Sequence, residues 1–376
     1  MPDLYQYQQT AISLFQVGRD MPEWQPYLLI RLFHEHLSLP PELEKMRFPY
    51  LKNKQALRHS FLLSLIHGPH LSHPWHLLLY HQLLSVALFF LTLWYGRNHW
   101  WLIPALLEPF SWFWSASWLK ESLIFPLYAM IWVSFLTPIP FPWLVFAFLI
   151  GFWIRPTASL FLFICYLFAH LTRKTKLYFT LSLFFLLGIG FSTTPFLKHY
   201  LQALELNYYY SYHVITEEPG VEPIRGEYAY WCGDIDLSTW KGVLKALPLG
   251  LYNGFLNPLF PKLPMDSWKD LAAIGIILRN VFTLLLFFTA LYCCIRYKTC
   301  QLSEARVGIW LILYALGIGL GIGLSHTHVG AILRYQVSYL PALWIGCISL
   351  LPSPVKASLR DRLIRLFHRL DSSGKS

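Results

Sequence analysis

The sequence predicts an all-α protein: a polytopic bundle of about nine transmembrane helices, with further helices lying on the extracytoplasmic membrane surface. Three observations predict it. Of 376 residues, 55% are hydrophobic and 13% charged, and the mean hydropathy is +0.43. An average soluble domain is roughly 25% charged, and this chain has too little polar surface to cover a water-soluble core of its size. Its apolar residues also come in long uninterrupted runs, which a bilayer accommodates. A soluble enzyme, a disulfide-stapled secreted domain and a disordered chain are excluded.

The net charge of +10 does not imply nucleic acid. Basic residues cluster beside apolar runs, as in cytoplasmic loops of membrane proteins, and no zinc-finger spacing or basic–aromatic RNA motif is present. Of six cysteines, Cys165, Cys293, Cys294, Cys300 and Cys347 lie in or beside apolar runs. Cys232 is alone in a polar loop, so neither a loop-internal disulfide nor a metal spacing results. Met1 opens into polar, aromatic sequence with no cleavable signal.

The elements follow in order. Residues 1–74 form an extracytoplasmic N-terminal segment. Asp3 is placed to cap a helix from Leu4, with Tyr7, Ala11, Leu14 and Phe15 on one face. Leu28, Leu29, Leu32 and Phe33 suggest another short amphipathic helix, and Phe61 to Ile66 lie at the interface. Residues 75–194 form a first transmembrane bundle. Its spans are Trp75 to Gly96, Trp100 to about Ala116 (interrupted by Glu108) and about Trp118 to Leu136. A fourth ends at Ile154, a fifth at about Leu171, and a sixth covers Leu177 to Thr194. Thr137 to Pro142 reads as a turn, because its three prolines remove donors and bias their predecessors away from helix. Residues 195–270 form an extracytoplasmic loop. Residues 271–352 hold the last spans, Leu271–Ile295, Val307–Leu324 and Val337–Leu351. Residues 353–376 are a basic cytoplasmic tail, with apolar residues 359, 363, 366, 367 and 370 on one helical face, as in an interfacial helix on an anionic leaflet. Calmodulin-like or partner binding is the minor alternative for this face.

Lysine and arginine placement orients the chain. Lys356, Arg360, Arg362, Arg365 and Arg369 put the tail inside. Arg296, Lys298 and Arg306 then fall inside, as do Arg173, Lys174, Lys176 and Arg97. The loop 195–270, with Glu205, Glu217, Glu218, Glu222, Glu227, Asp234 and Asp236, falls outside. Residues 1–74 also fall outside, which requires a translocating helix upstream of this start. Otherwise residues 122–154 cross once, giving eight spans and a cytoplasmic Lys120.

With nine spans, Lys120, Glu121, Arg155, His326, His328, Arg334 and Tyr335 converge on the outer surface, and Asp3 and Tyr5 belong to the outer N-terminal segment. Ionisable groups at a membrane edge point to function, and cations there suit a phosphate or pyrophosphate head group. The plainer reading makes Arg155 an interfacial anchor and Lys120 a snorkelling side chain or partner of Glu121. Glu108 is expected to face the bundle and pair with Arg279. The i, i+2 spacings of His326-Thr327-His328 and His34-Glu35-His36 put the rings on different helical faces and specify no metal. Gly317, Gly319, Gly321 and Gly323 form two overlapping GxxxG patterns, a close-packing signal.

Several motifs resemble one group. Asp3-Leu4-Tyr5-Gln6-Tyr7 with Thr10-Ala11 is similar to a D-x-x-Y…A pattern, and Trp114-Ser115-Ala116-Ser117-Trp118-Leu119-Lys120-Glu121-Ser122-Leu123 to a WSS-x-x-LK-[DE]-x-L helix. Arg155-Pro156 matches an RP pair. Leu247-Pro248-Leu249-Gly250 with Leu256-Asn257-Pro258 is similar to a shared loop, and Arg334-Tyr335 through Pro341 to a C-terminal RY…P helix start. Together these resemble the GT-C fold membrane glycosyltransferases of bacterial polysaccharide biosynthesis. The resemblance implies an inner-membrane protein moving sugar from a polyprenyl-phosphate-linked donor to a saccharide or lipid-linked acceptor at the extracytoplasmic face. It implies Asp3 as the catalytic acidic residue, acting as base or positioning a divalent metal, and Arg155 and Arg334, with Lys120, on the lipid phosphate. The cofactor itself is left unspecified. The chain departs from the group in lacking a second acid beside Asp3 and a helix before it. An oligosaccharide polymerase or ligase, and a non-catalytic subunit or transporter, are the competing readings.

Overall fold

The computed structural model describes residues 2–20, 54–68, 74–109, 111–112, 120–170, 240–256, 268–297, 303–325, 329–352 and 355–356. Among these residues 90% are helical and none is in a strand. The helices are α1 (Pro2–Asp20), α2 (Lys54–His67), α3 (Pro74–Gly96), α4 (Ile103–Leu106), α5 (Lys120–Ser134), α6 (Phe141–Ile154) and α7 (Pro156–His170), then α8 (Trp240–Phe255), α9 (Trp268–Tyr297), α10 (Ser303–Ser325), α11 (Val329–Gln336) and α12 (Leu340–Ser349). Two stretches, Ile274–Tyr297 and Glu304–Leu324, are long and apolar enough to cross a membrane. Four shorter apolar helical stretches accompany them: His81–Gly96, Phe141–Ile154, Pro156–His170 and Leu340–Ser349. The expected sixth span, the short helix at Leu28 to Phe33, and the tail beyond Lys356 lie outside the described residues.

The chain divides into two compact units: residues 1–97 with 107–160, and residues 98–106 with 161–376.

In unit 1, α1 starts at or before Pro2, earlier than the Leu4 start expected from an Asp3 cap. Proline is tolerated in a first turn because its missing N–H has no helical partner there. Asp3 therefore sits inside the helix rather than ahead of it. α1 packs on α2, and Ala11, Leu14, Leu57 and Leu63 supply buried apolar surface. α2 ends at Gly68, whose φ of +47° costs a residue without Cβ little.

α5 and α6 form an antiparallel hairpin. The turn between them falls at Phe135–Pro140, and Pro140 and Pro142 open α6, where absent N–H groups do no harm. All 15 residues of α5 are buried, the polar Lys120, Glu121 and Ser122 of its first turn included. Phe89, Trp112 and Phe125 pack as an aromatic trio, with Phe89 and Trp112 edge-to-face at 4.6 Å. Gly151 makes the hairpin tight: a Cβ there would meet Ser159 Oγ at 2.8 Å and the Tyr128 ring at 3.1 Å.

The expected span from Trp100 is not one continuous helix. A 3-10 turn (Trp100–Leu102) leads into α4, and helical hydrogen bonding lapses at Leu107–Glu108. Pro109 explains the break, since it has no N–H to offer the preceding turn. Glu108 Oε2 accepts the Ser111 N–H at 2.6 Å, which satisfies one of the donors exposed where helix resumes.

In unit 2, α8 and α10 are antiparallel and nearly touch. A Cβ on Gly254 would lie 2.1 Å from Gly319 O, and one on Gly323 would lie 1.9 Å from Gly250 O. Each helix thus presents one GxxxG pair to the other. α8 falls inside the stretch expected as a loop, yet it packs against one of the two long apolar helices. α10 and α12 are also antiparallel. Gly308 faces Gly346 and Ser349, and Tyr314 donates to Ser338 O at 2.7 Å. Lys356 ties the end of α12 to the start of α10, donating to Glu304 at 2.8 Å and Ser349 O at 3.1 Å. Its ammonium stands 4.8 Å from the Trp101 ring, on which His99 stacks.

Candidate functional site

Three charged residues of unit 1, Lys120, Glu121 and Arg155, lie where α5 begins and α6 ends. Lys120 and Glu121 belong to the first described turn of α5, and Arg155 follows the last residue of α6. The hairpin brings those ends together. Arg155 Nη2 donates to Glu121 Oε1 at 2.6 Å, with 7% and 0% of the two side chains exposed. Lys120 is buried as well. The Arg155 backbone is fixed on both sides: its N–H donates to Gly151 O at 2.7 Å, and its carbonyl accepts the Ser159 N–H at 3.0 Å. Tyr128 and Ser159 hydrogen-bond one turn deeper, at 2.6 Å.

Removing two charges from water costs several kcal/mol per ion, recovered only with good geometry. A short, doubly buried Arg–Glu contact meets that condition. It also gives Arg155 a carboxylate partner, so this arginine is a held group rather than a loose interfacial anchor. A guanidinium has five N–H donors, and its pairing with Glu121 uses only part of that fork.

An apolar groove of about 380 Å³ lies between α2, α3, α5 and α6, lined by Leu62, Ile66, Leu84, Leu123, Trp143 and Phe146 among others. On α5, Lys120, Leu123 and Leu127 are spaced i, i+3, i+7 and share one face. Leu123 and Leu127 line the groove, whose lining is apolar throughout, and Lys120 lies one turn before Leu123 on α5. Ile66, Trp143 and Phe146 are partly exposed at the groove's mouth.

Arg58 is a site residue that sequence reasoning missed. Its Nη1 donates to Trp153 O at 3.4 Å, its own carbonyl accepts Trp153 Nε1–H at 3.1 Å, and its guanidinium lies 5.3 Å from the Trp153 ring centroid. It thus joins α2 to the end of α6, two residues before Arg155. Arg58 lies in a mixed-polarity stretch 95 residues from its partner, and nothing local marks it.

The remaining expected residues fall elsewhere. Asp3 is in α1 of unit 1. Arg334 and Tyr335 are in α11 of unit 2, both half-buried, with the Arg334 guanidinium 5.6 Å from the Tyr335 ring centroid. His326 and His328 lie outside the described residues. Arg279, the expected partner of Glu108, is held by amide oxygens: Nη2 donates to Gln336 Oε1 at 2.5 Å and to Asn280 Oδ1 at 3.1 Å. Gln336 Nε2 and Tyr339 OH both donate to Gly254 O, and Asn280 Nδ2 donates to Leu256 O. These bonds satisfy carbonyls left open where α8 ends.

No known protein family, curated protein or solved structure matches this chain. The site's own geometry therefore carries the functional reading.

Proposed function

We propose that the protein is a GT-C-like membrane glycosyltransferase of the cytoplasmic (inner) membrane, multi-pass with its C-terminus inside. In this reading it transfers a sugar from a polyprenyl-phosphate donor to a saccharide or lipid-linked acceptor at the extracytoplasmic face. The observation that supports this best is the buried Glu121–Arg155 pair with Lys120 next to it in sequence, in the same unit as an apolar groove. A lipid-linked phosphate needs both parts, cations for the head and an apolar channel for the chain.

The chemistry divides among these groups. As the anomeric carbon is attacked, charge accumulates on the leaving phosphate. Fixed cations stabilise that charge without reorganising. Lys120 is the direct contact. Arg155, braced by Glu121, keeps the positive field in place. The acceptor hydroxyl loses a proton during attack, a role the resemblance gives to Asp3.

The test is transfer from a radiolabelled polyprenyl-phosphate sugar by the purified protein in nanodiscs. Lys120→Ala is expected to lower kcat by about 10²–10³, the usual cost of removing one charge-stabilising donor. Asp3→Ala is expected to abolish transfer. Full transfer by Asp3→Ala alongside loss in Arg155→Ala would instead favour the polymerase or ligase reading. Unimpaired transfer by Lys120→Ala would end the head-group assignment.

A further inference from the structure

Histidine is concentrated where α2 gives way to α3. Six of the chain's 15 histidines (His59, His67, His70, His73, His76 and His81) fall between residues 59 and 81, where an even spread would place about one. Short histidine-rich tracts are metal-binding compositions. His70 and His73 lie outside the described residues and His76 falls in the first turn of α3, but two of the others meet.

His67 Nε2 and His81 Nδ1 are 3.3 Å apart, and both rings are buried. Two imidazole nitrogens on one tetrahedral zinc ion, each about 2.0–2.1 Å from it, stand about 3.3–3.4 Å apart. The other side of His81 is fixed as a ligand requires. Its Nε2 lies 2.5 Å from Ser122 Oγ. With Nε2–H donating to that oxygen, Nδ1 keeps its lone pair on the side of His67. A hydrogen bond of this kind on the far nitrogen sets the tautomer and orientation of metal-bound histidines. Ser122 is held in turn, its carbonyl accepting Ser85 Oγ–H at 2.8 Å. Gly68 ends α2 directly after His67, and the His59 ring stands edge-on to His81 at 6.4 Å.

We propose that His67 and His81 are two ligands of a divalent transition-metal site of the zinc–cobalt class, clamping α2 to α3, with Ser122 orienting His81 from behind. Among the described residues no group of three His, Cys, Asp or Glu side chains is placed to hold a metal, so this pair supplies half of a tetrahedral shell. The site stands apart from Lys120 and Arg155 in its chemistry and does not depend on the glycosyltransferase reading. Its rival is a plain imidazole–imidazole hydrogen bond, which needs no ion.

The experiment uses the full chain in detergent, loaded with Zn²⁺, desalted and analysed for bound metal, with Co²⁺ titration as the spectroscopic readout. One equivalent of zinc in the wild type, lost in His67→Ala and in His81→Ala and kept in His170→Ala, is the expected result. An unloaded wild type, or full retention in both variants, overturns the proposal. If either alanine variant fails to fold, Ser122→Ala decides. Co²⁺ affinity lowered about 10–100-fold, the usual cost of losing such a partner, supports the site, and unchanged affinity sinks it.

Discussion

Unit 1 buries an arginine–glutamate pair and a histidine–serine chain between its helices. Unit 2 brings the glycines of α8 and α10 into backbone contact and meets its buried Arg279 with the amide oxygens of Asn280 and Gln336. The first arrangement carries a large desolvation cost and gains little stability over an apolar substitute. The second gains packing from small residues, and the Lys356–Glu304 ion pair of unit 2 leaves its glutamate partly exposed. The contrast teaches where to look for chemistry: a fold keeps costly buried ions where they set register or act on a ligand. In unit 1 those ions belong to or follow helices, α5 and α6, that also line an apolar groove.

The sharpest way to break the contrast is to remove one charge from unit 1. Glu121→Gln leaves Arg155 buried without its carboxylate and should destabilise the protein by roughly 3–5 kcal/mol. The double variant Glu121→Gln/Arg155→Gln should recover part of that loss. Thermal unfolding in detergent measures both, and a single variant that melts like the wild type would show that the pair does not support the fold.

The matching change in unit 2 is steric. Gly323→Ala drives a methyl into Gly250 O and should cost roughly 1–3 kcal/mol. Gly321→Ala is its control, since nothing lies within 4 Å of a Cβ there. Relief of the glycine penalty should stabilise this variant by up to about 1 kcal/mol. Similar melting shifts for the two would contradict the α8–α10 contact.

Gln336→Leu tests the amide network around Arg279. It removes a donor from Gly254 O and an acceptor from Arg279, and it should cost roughly 1–3 kcal/mol. Chemical denaturation reads it, and a neutral result would assign the network no share of stability.

The smallest effect concerns pH. Burial holds the His99 imidazole below its ordinary value, helped by Lys356 and opposed by Glu304. The folded state therefore binds fewer protons than the unfolded one. Its contribution is complete above the unfolded value of about 6.5 and is lost as pH falls through that value toward the lowered one. His99→Gln should flatten the acid side of the stability profile. An unchanged profile would remove His99 from the balance.

Much of the helical framework was legible. The run from Trp75 to Gly96 became α3 (Pro74–Gly96), and the three prolines at 138, 140 and 142 marked the hairpin turn, because local chemistry suffices for both. The glycine alternation announced close packing but not which pair would be used: Gly319 and Gly323 face α8, whereas Gly317 meets Phe161 and Gly321 meets nothing within 4 Å. The break at Leu107–Glu108 was only hinted at by Glu108 and Pro109 in an apolar run. Helix α8 was read as loop, because its polar neighbours masked a face that packs only once α10 is present.

For the candidate site, residue types were visible and partners were not. Charge in an apolar context singled out Lys120, Glu121 and Arg155. That Arg155 binds Glu121, 34 residues away, depends on the hairpin closing. Arg58 and the His67–His81–Ser122 chain depend on helices meeting across 14 to 95 residues. By itself, then, the sequence determined helix content, the turn and the positions of scarce charge, because backbone bonding and apolar patterning act over a few residues. Only the tertiary structure decided which buried polar groups share a bond, because donors and acceptors brought together from distant segments are chosen by packing.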